Sequence, residues 1–242
     1  MSIQPDRPLT GGACAQGYTA GMSTANPPSG FFRLLKQHRA DNVFNPWTER
    51  NARDDAASNG PQARCRRLAA HLGIEPARLL IGEASGYQGC RVTGIPFTSE
   101  RLINEGMIPR IDVEPARLSL RHIPWSEPSA TIVWSTLQEL GIAESTVLWN
   151  AFPWHPHVAG EAHSNRTPTR IECAQGLPVL QALLSAFPRA RLFAVGRQAE
   201  RALLAIGRQA LALRHPAMGG ATAFRRALAL ALSEKSRSSP PP

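Results

Sequence analysis

Residues 78–100 read RLLIGEASGYQGCRVTGIPFTSE, and the rest of the chain is arranged around them. The segment opens on Leu79-Leu80-Ile81, an unbroken apolar run of the kind that forms a parallel strand buried on both faces. It then breaks into sequence punctuated by Gly82, Gly86, Gly89 and Gly94, which carries Glu83, Ser85, Tyr87 and Phe97. Glycines let backbone approach a ligand closely, and free amides at the carboxyl end of a strand suit an anion. A plain glycine-rich surface loop has the same composition, so the segments on either side must decide.

Upstream, Gln62 to Leu72 has the pattern of an arginine-bearing helix ending at Gly73. Before it come a loop over 51–61, an aromatic turn at Phe44-Asn45-Pro46-Trp47, and a short basic helix from Phe31 to Ala40. Downstream, Pro109, Pro115 and Pro124 interrupt 101–125, which is expected to be an irregular excursion over one face of the sheet. Ser126-Glu127-Pro128-Ser129 starts a helix over Ala130 to Leu140 that stops at Gly141. Thr146 to Trp149 is a strand leading into Asn150-Ala151-Phe152-Pro153-Trp154-His155-Pro156-His157. Then alternate a helix (Leu177 to Ala186), a strand (Arg191 to Val195), a helix (Gln198 to Ile206), a strand (Ala210 to Leu213) and a helix (Ala221 to Leu232).

Strands alternating with helices predict an α/β fold, a three-layer α/β/α sandwich around a central four-stranded, mainly parallel sheet. One domain is expected over 30–233, preceded by a flexible arm at 1–29 and followed by a disordered tail at 234–242. Ligands bind such sheets at the carboxyl ends of the strands. Glu83, Ser85, Asn150 and His215 all fall there, which favours a site over a surface loop.

The chain has 242 residues and a formal charge of +9, which suits a polyanionic partner such as DNA. Of its 27 basic residues only Lys36 and Lys235 are lysines. That skew fits a GC-rich genome as well as it fits phosphate contacts. Cys14, Cys65, Cys90 and Cys173 form no close pair, so neither a metal nor another cofactor is expected, and the thiols read as free in a reducing compartment. No charged-then-apolar leader and no apolar run of the roughly 20 residues that span a bilayer is present, which predicts a monomeric cytoplasmic, nucleoid-associated protein.

GEASGYQG…GIPF after the first strand, LWNAFPWHP after a middle strand and RHPAMGGATAFR after the last resemble the uracil-DNA glycosylase superfamily over about residues 78–230. The resemblance implies an enzyme that flips a base out of DNA and hydrolyses its glycosidic bond. It implies His215 as the donor to the departing base and Asn150 as the reader of a pyrimidine edge. Phe97 is then the ring on which the base stacks, with Ala84 and Tyr87 beside it. Glu83 matches the acidic position of the first motif and is the carboxylate for water or sugar. Ser85, Arg214, Gly219 and Gly220 are the candidate phosphate contacts, and Met218 the wedge that fills the vacated space. Trp154, His155 and His157 line either the pocket or the DNA surface.

Each of these residues also has a bland reading: His215 and Phe97 as core, Asn150 as a turn cap, Met218 as loop packing, Glu83 as an acceptor for its own turn. The chain departs from the classical enzymes at Ala84, where they have aspartate, and at Ser85, where proline is usual; the cysteine set of the iron–sulfur subfamilies is absent. Four readings therefore stay open. One is repair of uracil, and another is excision of glucosylated hydroxymethylcytosine from phage DNA as a defence. The third is a module that flips a base without cutting, and the fourth an unrelated nucleotide-phosphate binder that uses the glycine-rich turn.

Overall fold

The computed structural model describes residues 29–113 and 117–237. In chain order it contains α1 (Ser29–Gln37), β1 (Val43–Phe44), α2 (Pro61–Leu72), β2 (Arg78–Ala84), α3 (Cys90–Thr93), α4 (Glu100–Asn104) and α5 (Pro128–Glu139). There follow β3 (Thr146–Phe152), β4 (His155–Pro156), α6 (Arg170–Ala186), β5 (Arg191–Val195), α7 (Arg197–Ala205), β6 (Leu211–Leu213) and α8 (Ala221–Arg237).

Strand β2 is central because Leu79, Leu80 and Ile81 have no polar face to offer water, and all three are fully buried. It pairs in parallel with β3 from Arg78↔Thr146 to Ala84↔Phe152, and with β5 from Arg78↔Arg191 to Ile81↔Ala194. Strand β6 adds in parallel to β5, giving the order β3-β2-β5-β6. Alternation along β2 sends Leu79 and Ile81 into one core, shared with α1, α2, α6 and α7. Leu80 goes into the other, shared with α5 and α8. The result is the expected three-layer α/β/α arrangement.

Strand β3 runs three residues beyond the apolar run, so Asn150 lies within it rather than after it. Glu83 likewise lies inside β2. Helix α6 starts at Arg170, seven residues before the expected Leu177. Its start is a capping box: Thr169 Oγ accepts from the Glu172 amide at 3.2 Å, and the Thr169 amide donates to Glu172 Oε2 at 2.7 Å. Pro178 is carried inside the helix, and its missing N–H leaves the Ala174 carbonyl without its helical donor. A Cβ on Gly176 would overlap the Ala151 carbonyl, so glycine lets α6 lie directly on β3. Helix α8 extends to Arg237, past the expected start of the tail; 1–28 and 238–242 lie outside the described residues.

The excursion after β2 begins with a short helix, α4, and its first residue holds the rest. Buried Glu100 accepts from Arg117 Nε (2.9 Å), from the Leu118, Ser119 and Trp125 amides (3.0, 3.1 and 3.0 Å) and from Ser119 Oγ (2.7 Å). Burial alone would raise its pKa, and these donors together hold it below the usual carboxylate range. A two-stranded antiparallel ribbon not foreseen from the sequence joins β1 to β4, with Phe44 opposite His155. It tucks Trp154 under α1, where the indole stacks on His38 at 3.8 Å and donates to the Leu35 carbonyl at 2.9 Å. Trp154 and His155 are therefore buried structure, while His157 faces a different cavity, beside Arg91 and His163.

Two buried histidines are held neutral. His71 on α2 accepts the outward Leu148 amide of edge strand β3 at 3.0 Å, and burial lowers its pKa to about 3. His155 lies 2.8 Å from the Ser164 carbonyl, and burial lowers it to about 3 as well. Below the ordinary histidine pKa the unfolded chain takes up protons that the native state refuses, so stability is lost as pH falls from 6.5 toward 3. Denaturant titrations at pH 6.5 and 5.5 should differ by about 2 kcal/mol, and His71→Gln should roughly halve that difference. Equal midpoints at the two pH values would show that neither ring is kept neutral.

Candidate active site

The site is built on Gly82. In register with Asn150 across β2 and β3, Gly82 has the Phe97 ring and the Asn150 amide on its Cα. A Cβ there would overlap the ring and come within 2.7 Å of Asn150 Oδ1. Glycine is required at 82 by close approach, not by backbone angle. Asn150 is buried, and its Nδ2 lies 3.5 Å from Ser85 Oγ, which itself donates to the Pro153 carbonyl. Ser85 thus turns inward and braces Asn150; the structure does not place its hydroxyl on the surface that phosphates would reach.

Phe97 has φ 52°, a left-handed backbone that costs a non-glycine residue of order 1 kcal/mol and persists only when neighbours enforce it. Here they do. Thr93 Oγ1 donates to the Thr98 carbonyl at 2.8 Å, and Trp134 Nε1 donates to Thr98 Oγ1 at 3.1 Å. Gly94, with φ +78°, packs against Arg64, which is itself buried in an ion pair with Asp55.

His215 follows β6, and its ring centre is 6.2 Å from that of Phe97. The Ala217 amide donates to His215 Nδ1 at 3.2 Å, which puts the proton of the neutral ring on Nε2. Burial, with the adjacent Arg214 guanidinium, lowers the pKa and favours that neutral form. The loop depends on Gly220, where a Cβ would overlap the His215 carbonyl oxygen. The Gly220 amide donates to the Ala217 carbonyl at 3.1 Å, so its contribution is space rather than a free donor. Gly219 (φ +75°) and Met218 (φ 53°) form the exposed tip, with Met218 93% exposed. Exposed Arg214 lines a groove of about 570 Å³ with Arg197, Glu200 and Met218.

Phe97, Asn150 and His215 are brought together; Glu83 is not among them. Alternation along β2 turns its side chain to the other face of the sheet. There it lines a cavity of about 540 Å³ between α6 and α7, with Arg170, Cys173, Gln198 and Arg201. Burial pushes the Glu83 carboxyl up, against a hydrogen bond from Thr167. Half-buried Ala84 pairs with Phe152 and offers only a methyl group. The Tyr87 ring packs edge-on against Trp125 and over His163, with centroids 5.4 and 6.2 Å away, rather than beside Phe97.

Two residues near the site were not singled out from the sequence. Glu127, read there only as part of a helix start, packs its carboxylate onto Gly89 and reaches toward Gly86. Asn165 Oδ1 accepts from the Tyr87 amide at 3.0 Å. Among the described residues no group of three or more His, Cys, Asp or Glu could hold a metal ion, and no helix is long and apolar enough to cross a membrane.

The model of the uracil DNA glycosylase superfamily matches residues 71–233, from the end of α2 through most of α8. The chain belongs to that superfamily. No curated protein matches the sequence. Among solved structures, wild-type SMUG2 from Pedobacter heparinus superposes with a TM-score of 0.57 at 17% identity, covering 86% of this chain and 99% of that one. At that identity the likeness is one of fold, and it agrees with the layer order found here.

Gly82→Ala tests the core of the arrangement. The added methyl must displace either the ring or the amide, which should lower stability by about 1–3 kcal/mol in urea denaturation. An unchanged midpoint would mean that both groups give way freely and that Gly82 does not fix them.

Proposed function

We propose that the protein hydrolyses the N-glycosidic bond of an altered pyrimidine in DNA, uracil or a modified cytosine, and leaves an abasic site. The observation that carries this reading is the convergence of Phe97, Asn150 and a neutral His215 on the carboxyl end of one parallel sheet, in a chain of this superfamily. The target base leaves the stack and lies on the Phe97 ring. The Asn150 amide, with one acceptor and two donors, pairs with its edge. His215 Nε2–H donates to the base O2. As the bond from C1′ to nitrogen breaks, its electron pair passes to the base, and this hydrogen bond strengthens with the growing charge. Water adds its hydroxyl to the oxocarbenium-like C1′, and its remaining proton ends on the base or in solvent. With a methyl at Ala84, departure of the base carries more of the rate than deprotonation of water does. Arg197 and Arg214 form no ion pair among the described residues and are placed to meet flanking phosphates, and exposed Met218 fills the vacated stack.

Two narrower readings have an observation behind them. Gly86, bare beside the polar Glu127 and Asn165 side chains, favours a substituted cytosine, as a phage-defence enzyme would need. The missing carboxylate at Ala84 favours a module that flips and holds a base without cutting.

Base release from duplex and single-stranded oligonucleotides, with alkali to cut abasic sites, separates these readings. The panel carries uracil, hydroxymethylcytosine and its glucosylated form. Release at uracil means repair, release only at the decorated base means defence, and binding without release means a reader. Where release occurs, His215→Ala should lower it about 10²–10³-fold with little loss of DNA affinity, and Asn150→Ala should lose discrimination between bases. Parent rates in both variants would refute the assignment. Affinity should fall steeply with salt if arginines meet phosphates, and a flat response would exclude DNA.

A further inference from the structure

The turn at Gly86 faces two polar side chains that the mechanism above does not use. A Cβ on Gly86 would lie 3.7 Å from Glu127 Oε2 and 3.9 Å from Asn165 Nδ2. The space that a side chain would fill is therefore a small recess with a carboxylate oxygen on one side and an amide nitrogen on the other. Glu127 is held there from both ends. Its Oε1 accepts from Ser129 Oγ at 2.6 Å, and its Oε2 presses on Gly89 so closely that any Cβ at that position would overlap it. The chain keeps residue 89 bare where this carboxylate lies.

The buried carboxylates are matched by cations, Asp54 by Arg91, Asp55 by Arg64, Glu100 by Arg117 and Glu172 by Arg166, whereas the partly buried Glu83 and Glu127 are not. Glu127 has no cation, and its Oε2 has no donor among the described residues. Burial pushes its pKa up, opposed only by the Ser129 hydroxyl. Glu127 is only partly buried, so its unpaired Oε2 is open to a donor brought by a ligand.

The sheet order shows which part of a base would reach it. Asn150 lies on one edge strand, β3, while His215 follows the other, β6. Glu127 and Asn165 gather at the Asn150 end, beside Ser85, Gly86 and Gly89. In a pyrimidine ring C5 lies directly across from C2. A base with O2 at His215 therefore directs position 5, and the substituent on C4 beside it, toward Asn150 and Gly86. Uracil offers an acceptor at O4 and a bare C–H at C5, and so gives a carboxylate no partner. An exocyclic amino group or a hydroxyl on a C5 substituent gives it one.

We propose that Glu127, with Asn165 opposite, is a specificity-determining contact that accepts a hydrogen bond from an amino or hydroxyl group at position 4 or 5 of the flipped base. This rests on the base-release reading above. It assigns the protein a donor-bearing pyrimidine in preference to uracil.

The test compares release rates within matched sets: uracil against cytosine, thymine against 5-hydroxymethyluracil, and 5-methylcytosine against 5-hydroxymethylcytosine and its glucosylated form. The wild type should release the donor-bearing member at least about tenfold faster in one set or more, and which set responds tells amino from hydroxyl. In Glu127→Gln and Glu127→Ala that ratio should fall to within about threefold of unity. The near-isosteric glutamine decides the matter if alanine unfolds the protein. A ratio that survives both variants, an equal slowing on every base, or a wild type that prefers uracil overturns the assignment of Glu127 while leaving base release intact. A folded wild type that releases no base from any of these DNAs overturns base release itself, and this inference with it.

Discussion

The contact of the Phe97 ring with the bare Cα of Gly82 is the constraint on which the rest of the site depends. It requires a central strand buried on both faces, because only there do the neighbouring strands bring Asn150 alongside in register. It also requires the chain after α3 to double back in a left-handed conformation, which nothing local would favour. Thr93, Thr98 and Trp134 enforce that turn with hydrogen bonds, and Gly94 seats it on Arg64. Through Arg64 and Asp55 the loop of 51–61 becomes part of the support. The Phe97 ring, the proposed platform for the base, is thus fixed by residues far from it in sequence.

Charge is distributed with the same economy of partners. Asp54, Asp55, Glu100 and Glu172 are neutralised by arginines and amides and serve as struts. Glu83 and Glu127 are partly buried carboxyls that desolvation pushes upward, and they lie on opposite sides of the glycine-rich segment. Between them stands Ala84, where the superfamily's classical members carry their aspartate. A perturbed carboxyl in a cleft marks function more often than support. Here one such carboxyl, Glu83, lies at the end of β2, and the other, Glu127, lies at the start of α5.

The His215 loop is a steric construction. Gly220 gives up its Cβ so that the carbonyl of His215 can pass, and the Ala217 amide then fixes the ring tautomer. Met218 is left exposed on a backbone turn that side chains seldom adopt. Rigidity beneath and exposure at the tip belong to one geometry, since the same tight turn produces both.

Much of this was legible in the residues. The apolar run of Leu79 to Ile81, the alternation of strands with helices and the glycine stops at Gly73 and Gly141 follow from local rules of period and turn, and they define the α/β/α fold. Asn150, Phe97 and His215 were readable from their motifs, and the structure sets them together. What sequence could not decide was facing and partnership. Glu83 turns to the far side of the sheet because strand alternation continues one step past the apolar run. Ser85 turns inward because the Pro153 carbonyl lies behind it. Thr169 and Glu172 start α6 seven residues before Leu177, because their side chains and backbone amides cap each other. Glu127 reads as a helix start in the chain and meets the glycine-rich turn only when α5 is laid beside Gly86 and Gly89. Local patterns are set by a residue and its near neighbours, and the sequence carries those. Which side chain meets which across the sheet is set by packing between distant segments, and only the folded chain specifies it.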